Sequence, residues 1–177
     1  MTLSVRRSIA ALAVGAALVG SGCAINRAET AAVVDGNVIT ERDLQVAIAQ
    51  VNSMDPALLQ EPLTPTGALT ALVQAPVILD HLEDKGIVVS ESIATREADE
   101  RGVPRPSEDT LSIIRLATTI TSAQQTGQVT EADGAAITER MQALDVEVNP
   151  RYGAFAPESA SIQLSAPDWV KPVDEAP

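Results

Sequence analysis

The stretch Ala31-Ala32-Val33-Val34-Asp35-Gly36-Asn37-Val38-Ile39-Thr40-Glu41-Arg42-Asp43-Leu44 decides how this chain begins to fold. Asp35-Gly36 stands between two aliphatic runs, which predicts a short strand and a tight turn. Thr40 then precedes Glu41-Arg42-Asp43 in a Thr-x-x-acid pattern. Its hydroxyl and the acid three residues on can satisfy the unpaired N–H groups that open a helix. Leu44, Ala47, Ile48 and Val51 follow at helical spacing and share one face. Asp55-Pro56 ends that segment.

Downstream, residues 55–66 carry Pro56, Pro62 and Pro65 and read as a loop. A second helix is expected from about Thr66, with Leu69, Leu72, Val73, Leu79 and Leu82 as its apolar residues. Pro76 is predicted to kink or split it, because proline lacks a donor and crowds the preceding turn. Lys85-Gly86 is a helix stop, Ile87 to Val89 an extended step, and Ser90 an N-cap for a charged helix from Glu91 to Arg101. Gly102 to Pro106 interrupts the chain again. Ser107 opens a helix bearing Leu111, Ile113, Ile114, Leu116, Ala117 and Ile120, which stops near Gly127. Thr130-Glu131-Ala132-Asp133 repeats the capping pattern ahead of Ile137, Met141 and Leu144.

Asp145-Val146-Glu147-Val148-Asn149 alternates polar and apolar residues and predicts a half-buried strand. Pro150 biases Asn149 toward an extended conformation. The expected fold is therefore mainly α. About five helices occupy residues 31–155, and a small two-stranded sheet pairs 145–150 with 31–34 and joins the N- and C-terminal ends. Residues 156–177, with Pro157, Pro167, Pro172 and Pro177 and little periodicity, read as a flexible tail.

Upstream lies a different kind of signal. Arg6 and Arg7 precede an apolar run from Ile9 to Val19, and small residues Gly20, Ser21 and Gly22 follow. That order predicts a bacterial export signal over residues 1–22, too short in its apolar part to span a bilayer permanently. Cys23 then falls at the position of a first mature residue. Val19-Gly20-Ser21-Gly22-Cys23 resembles the bacterial lipobox, with Gly20 where a larger aliphatic is usual. The resemblance implies a diacylated Cys23, a short tether over residues 23–30, and anchoring at the outer face of the cytoplasmic membrane. Secretion as a free protein is the alternative.

Composition narrows the chemistry. The 177 residues carry 12 basic and 24 acidic side chains, a net charge of −12. Arg6 and Arg7 are the only charged residues before Cys23, so the mature chain would stand at −14. Such a surface is repelled by nucleic-acid phosphates and by anionic headgroups, which argues against a nucleic-acid partner and leaves membrane attachment to the lipid. One cysteine and one histidine exclude an intramolecular disulfide framework and a Cys/His zinc cluster. Between positions 24 and 151 there is no aromatic residue, so the core must be aliphatic.

The order of these pieces resembles the N-terminal domain of SurA-type extracytoplasmic chaperones. The residues that carry the likeness are Ala32-Val33-Val34-Asp35-Gly36-Asn37-Val38-Ile39-Thr40, then Lys85-Gly86-Ile87-Val88-Val89-Ser90, then Val146 to Phe155. The resemblance implies an ATP-independent protein that binds unfolded or extended polypeptides by apolar contact. A parvulin-type prolyl isomerase module, frequent in that family, has no room here, and no catalytic residue carries over. An envelope lipoprotein acting as a docking or assembly partner is the alternative from another class, and a prolyl isomerase a third.

His81, in Leu79-Asp80-His81-Leu82-Glu83-Asp84, is the single candidate general base, with Asp80 or Asp84 as partner. No nucleophile motif or second histidine accompanies it, so the expectation is a non-catalytic histidine beside solvated acids. Glu83-Asp84 and Glu97, Asp99, Glu100 lack the alternating oxygen ligands and central glycine of a calcium loop, and read as solvated helix faces. No catalytic, cofactor-binding or metal-ligating residue is assigned. The one modification site expected is Cys23.

Overall fold

The computed structural model describes residues 29–164. The expected export signal over residues 1–22, Cys23 and the end of the chain from residue 165, Trp169 included, lie outside the described residues.

Five helices and five short strands follow one another as β1 (Thr30–Val34), β2 (Asn37–Thr40), α1 (Glu41–Asn52), α2 (Pro65–Glu83), α3 (Glu91–Glu100), α4 (Glu108–Thr126), α5 (Glu131–Gln142), β3 (Val146–Val148), β4 (Ala154–Ala156) and β5 (Ser161–Gln163). The fold is mainly α with small antiparallel sheets, as the periodicities predict. Each helix starts where a hydroxyl can cap it. Thr40 accepts from the Asp43 N–H, Thr64 from Gly67, Ser90 from Ile93, Ser107 from Thr110 and Thr130 from Asp133. Such caps are each worth about 1 kcal/mol. Gly127 closes α4 at φ 63°, a left-handed conformation that glycine adopts without steric cost.

The ends of the domain meet as the strand patterns predict. β1 pairs antiparallel with β3 in the register Ala32↔Val148, Val33↔Glu147, Val34↔Val146. Asn149 N–H donates to the Ala31 carbonyl (2.9 Å), and Asp35 and Asp145 clamp the other end, Asp35 N–H to Asp145 O at 2.8 Å and Asp145 N–H to Asp35 Oδ1 at 2.9 Å. The sheet has a third strand, with order β2-β1-β3, because the turn at Asp35-Gly36 folds β2 back along β1. β1 is therefore central, and β2 is an edge.

Tyr152 and Glu41 fasten the same junction: the buried Tyr152 phenol donates to Glu41 Oε1, and Arg151 sits 5.3 Å over the Tyr152 ring. Burial, followed by the Glu41 carboxylate, pushes the phenol pKa up, so it remains a neutral donor.

α2 is the spine of the molecule. It buries Ala68, Leu69, Leu72, Val73, Ala75, Val77, Leu79 and Leu82 and packs on α1, α4, α5, β1 and β5. Pro76 does not split it. The helix runs unbroken through it and bears both the lost hydrogen bond to Leu72 C=O and the crowding of the proline ring against that carbonyl. The buried aliphatics on both sides of it outweigh that loss, at roughly 1.5–3 kcal/mol each. Against α2, α1 brings Leu44, Ala47 and Val51, and α4 brings Ile113, Ile114 and Leu116. Gln50 couples α1 to the start of α4: its Oε1 accepts from Thr110 Oγ1 (2.6 Å) and Ser107 N–H (2.9 Å), while its Nε2 donates to Arg105 O (3.0 Å).

The tail reading needs correction from residue 156 onward. Residues 154–163 form a hairpin of β4 and β5 that lies on α2. Ile162 is 5% exposed in the core, its N–H donates to Thr70 Oγ1 (3.0 Å), and Gln74 Nε2 donates to Ala160 O (2.8 Å). Strands of three residues with a single large inward aliphatic carry too little alternation to be seen in the sequence. The hairpin exists because α2 offers polar partners for its backbone.

Candidate functional site

On the side of α2 away from that hairpin, an open groove of about 960 Å³ runs between the β1–β2 hairpin, α2, the first half of α4 and the end of α5. Its β wall includes three consecutive residues of β2, Asn37, Val38 and Ile39. Successive side chains of a strand point to opposite faces, so three in a row bring the edge of β2 into the lining, and Val34 shows that the groove also reaches the end of the central strand β1. No other strand among the described residues pairs with that edge. Val38 is 44% exposed there. Leu72, Pro76, Val77 and Leu79 form the α2 wall, and Pro76 leaves the Leu72 carbonyl without the N–H donor of an ordinary helix. Leu144 adds an aliphatic side chain beyond the end of α5.

The third wall depends on polar ties between α2 and α5. Asp133, third residue of α5, completes a capping box by accepting from the N–H (2.8 Å) and hydroxyl (2.6 Å) of Thr130. The same carboxylate reaches His81 Nε2 (3.0 Å) and Lys85 Nζ (2.9 Å) at the far end of α2. Four donors converge on one buried group, so its pKa falls well below the usual carboxylate range. The Thr130 hydrogen bonds contribute most, then Lys85 and His81. One turn from the end of α5, Arg140 pairs with Asp80 at 2.6 Å. Only Met141 and Asp133 of α5 are buried, so the helix is set against the groove by the Met141 side chain together with the Asp133 ties to α2.

His81 is thus paired with neither Asp80 nor Asp84. Its partner lies 52 residues on, across a helix–helix contact. Asp133 was legible as a capping residue, but nothing local in the sequence points from it to His81 and Lys85. Glu97, expected on a solvated face, is instead held between Arg101 Nη2 (2.9 Å) and Thr118 Oγ1 (3.0 Å). Arg101 also donates to the carbonyls of Pro56 and Ala57, holding the loop before α2.

Charge around the groove is uneven. Of its two arginines, Arg140 is committed to Asp80, and Arg115 donates its Nε–H to the Val89 carbonyl at 3.0 Å. The acids Asp35, Glu83 and Asp109 also line it. Asp109 has no hydrogen-bond or ion-pair partner among the described residues. Its carboxyl pKa is pushed up, first by burial and then by the charges of Asp43 and Glu108. In the sequence Asp35 reads as a turn residue, Asp80 as a candidate partner of His81 and Glu83 as part of a solvated acidic face, and nothing local points to Asp109, Arg115 or Arg140, because the groove is assembled from four separate elements.

Among the described residues no helix is long and apolar enough to cross a membrane, and no group of three or more His, Cys, Asp or Glu side chains gathers as a metal site would. No protein-family model, curated protein or solved structure matches this chain.

Proposed function

We propose that the protein is an ATP-independent, chaperone-like binder of unfolded or extended polypeptide, exported and held at the membrane through lipidated Cys23. The observation that carries this reading is a groove whose lining includes the edge strand β2. An extended chain needs partners for its backbone N–H and C=O groups, and an edge strand supplies a row of both. Its side chains need apolar surface, which Val38, Pro76 and Leu144 provide over the buried Leu72 and Leu79. The SurA-type resemblance in residues 31–155 points the same way. The acidic mature chain, at −14 once Arg6 and Arg7 are removed, would keep occupied and empty molecules apart.

The test is suppression of aggregation of a chemically denatured client by the purified protein, alongside a Val38→Asp variant. Val38 is exposed, so the substitution should cost at most about 1 kcal/mol of stability on a strand edge. It should nevertheless abolish most of the protection by placing a charge in the groove. No protection by the wild-type protein at several-fold molar excess overturns the chaperone reading. Co-purification with one stoichiometric folded partner, in place of many unfolded chains, would instead support the docking-lipoprotein alternative.

A further inference from the structure

We infer that the occupant of the groove is an extended segment in which a lysine or arginine stands among aliphatic residues, laid along β2 with its basic side chain at Asp109. This rests on the groove reading above and specifies the chemistry of what the groove takes.

Three features of the site converge on that chemistry. β2 is a four-residue edge strand, so a partner segment gains main-chain pairing over a short length and side-chain selection must supply the rest. The apolar lining is built from Val, Leu, Ile, Ala and Pro with no aromatic residue, which suits aliphatic side chains. Acids stand at both ends of the strand. Asp35 sits in the turn before β2, and Asp109 lies near the first turn of α1, close enough to Asp43 to feel its charge.

The charge balance fixes the sign of the partner. Asp35, Asp80, Glu83 and Asp109 line the groove against Arg115 and Arg140, so acids outnumber bases. Arg140 pairs with Asp80, Arg115 is turned to the Val89 carbonyl and keeps its charge, and neither Glu83 nor Asp109 has an ion-pair partner among the described residues. An ionised carboxylate that is partly desolvated and repelled by two neighbours gains most from an incoming cation. An anionic segment would meet the opposite field.

The experiment uses the full protein and two blocked ten-residue probes of alternating Val and Thr, one with a central Lys and the other with Gln at that position, read by fluorescence anisotropy. The Lys probe should bind about five- to tenfold more tightly, a difference that shrinks as salt is raised. Asp109→Asn should erase the preference and Glu83→Gln reduce it. Glu158→Gln, on the exposed turn of the β4–β5 hairpin, should leave it unchanged, which separates a local contact from the general attraction of an acidic protein. Equal binding of the two probes, or a preference that survives Asp109→Asn, overturns the inference and leaves the groove reading standing. A preference lost equally in Glu158→Gln also overturns it. Binding of neither probe overturns both. A dimer in sedimentation that must dissociate before either probe binds identifies the occupant as a second copy's β2 and overturns the basic-segment inference.

Discussion

Replacing Gly153 by alanine tests how the β4–β5 hairpin is joined to the domain. Gly153 has φ 112°, and a Cβ there would stand 2.0 Å from the carbonyl oxygen of Gln163 and 2.7 Å from its carbonyl carbon. Both are backbone atoms, so no rotamer change relieves the contact. The chain has two responses. It can keep the hairpin and accept a left-handed alanine, at about 1–3 kcal/mol, together with a main-chain overlap that must open the β4–β5 pairing. Or it can release the hairpin. Release exposes Ile162, worth roughly 1.5–3 kcal/mol, and gives up the Ile162–Thr70 and Gln74–Ala160 hydrogen bonds at about 1 kcal/mol each.

Part of the second cost returns as regained chain entropy, and the overlap in the first cannot be relaxed locally. Release is therefore favoured, with a net loss of about 3 kcal/mol. At a urea slope of about 2 kcal/mol/M this lowers the midpoint by roughly 1.5 M. Amide exchange should show Ile162 losing protection while Val33 and Glu147, in the β1–β3 ladder, keep theirs. An unchanged midpoint with a protected Ile162 amide would refute the account.

Three further outcomes follow from named contacts. Ile114→Ala, at a fully buried position facing α1 and α2, should cost about 2–5 kcal/mol in chemical denaturation, since the close-packed site cannot fully collapse. Asp133 has a folded pKa below its unfolded value, so its stabilisation is complete above about pH 4 and is withdrawn as pH falls below it. Tm measured from pH 6 to 2 should drop less steeply in Asp133→Asn, whose Tm is already lower at pH 6. Asp109 has the opposite shift. Its raised folded pKa favours the native state at low pH and disfavours it as pH rises through that value, so Asp109→Asn should be more stable than wild type at pH 7, with the gap closing in acid.

Much of the fold could be read from short-range chemistry. Thr40, Ser90, Ser107 and Thr130 each stand directly before a helix whose N-terminus they cap, and Gly127 ends one. Those signals act over three or four residues, which is why they survive in a single sequence. The β1–β3 pairing was legible because an aliphatic run at 31–34 and an alternating segment at 145–149 lie at opposite ends of the helical run. What escaped is whatever depends on two distant residues choosing each other. Asp133 with His81 and Lys85, Tyr152 with Glu41, and Gln50 with Thr110 each join separate elements, and either partner alone reads as an ordinary surface residue. Pro76 does not split α2, because the buried aliphatics before and after it hold the helix together across the missing hydrogen bond. The groove escaped for the same reason as the ion pairs: no segment of the chain contains it.

The central place of β1 in its sheet has a consequence for how the protein is born. One side of β1 is matched at once by β2, a few residues away, but the other must wait for Val146–Val148, after all five helices have been made. With synthesis at about 5–20 residues per second, the gap between the two partners takes on the order of 5–20 s to traverse. Until then the first strand carries a second bare edge beside the first, and any neighbouring chain in the same condition is a competitor for it. Completion of the polypeptide, more than collapse of its helices, is the event that seals the molecule.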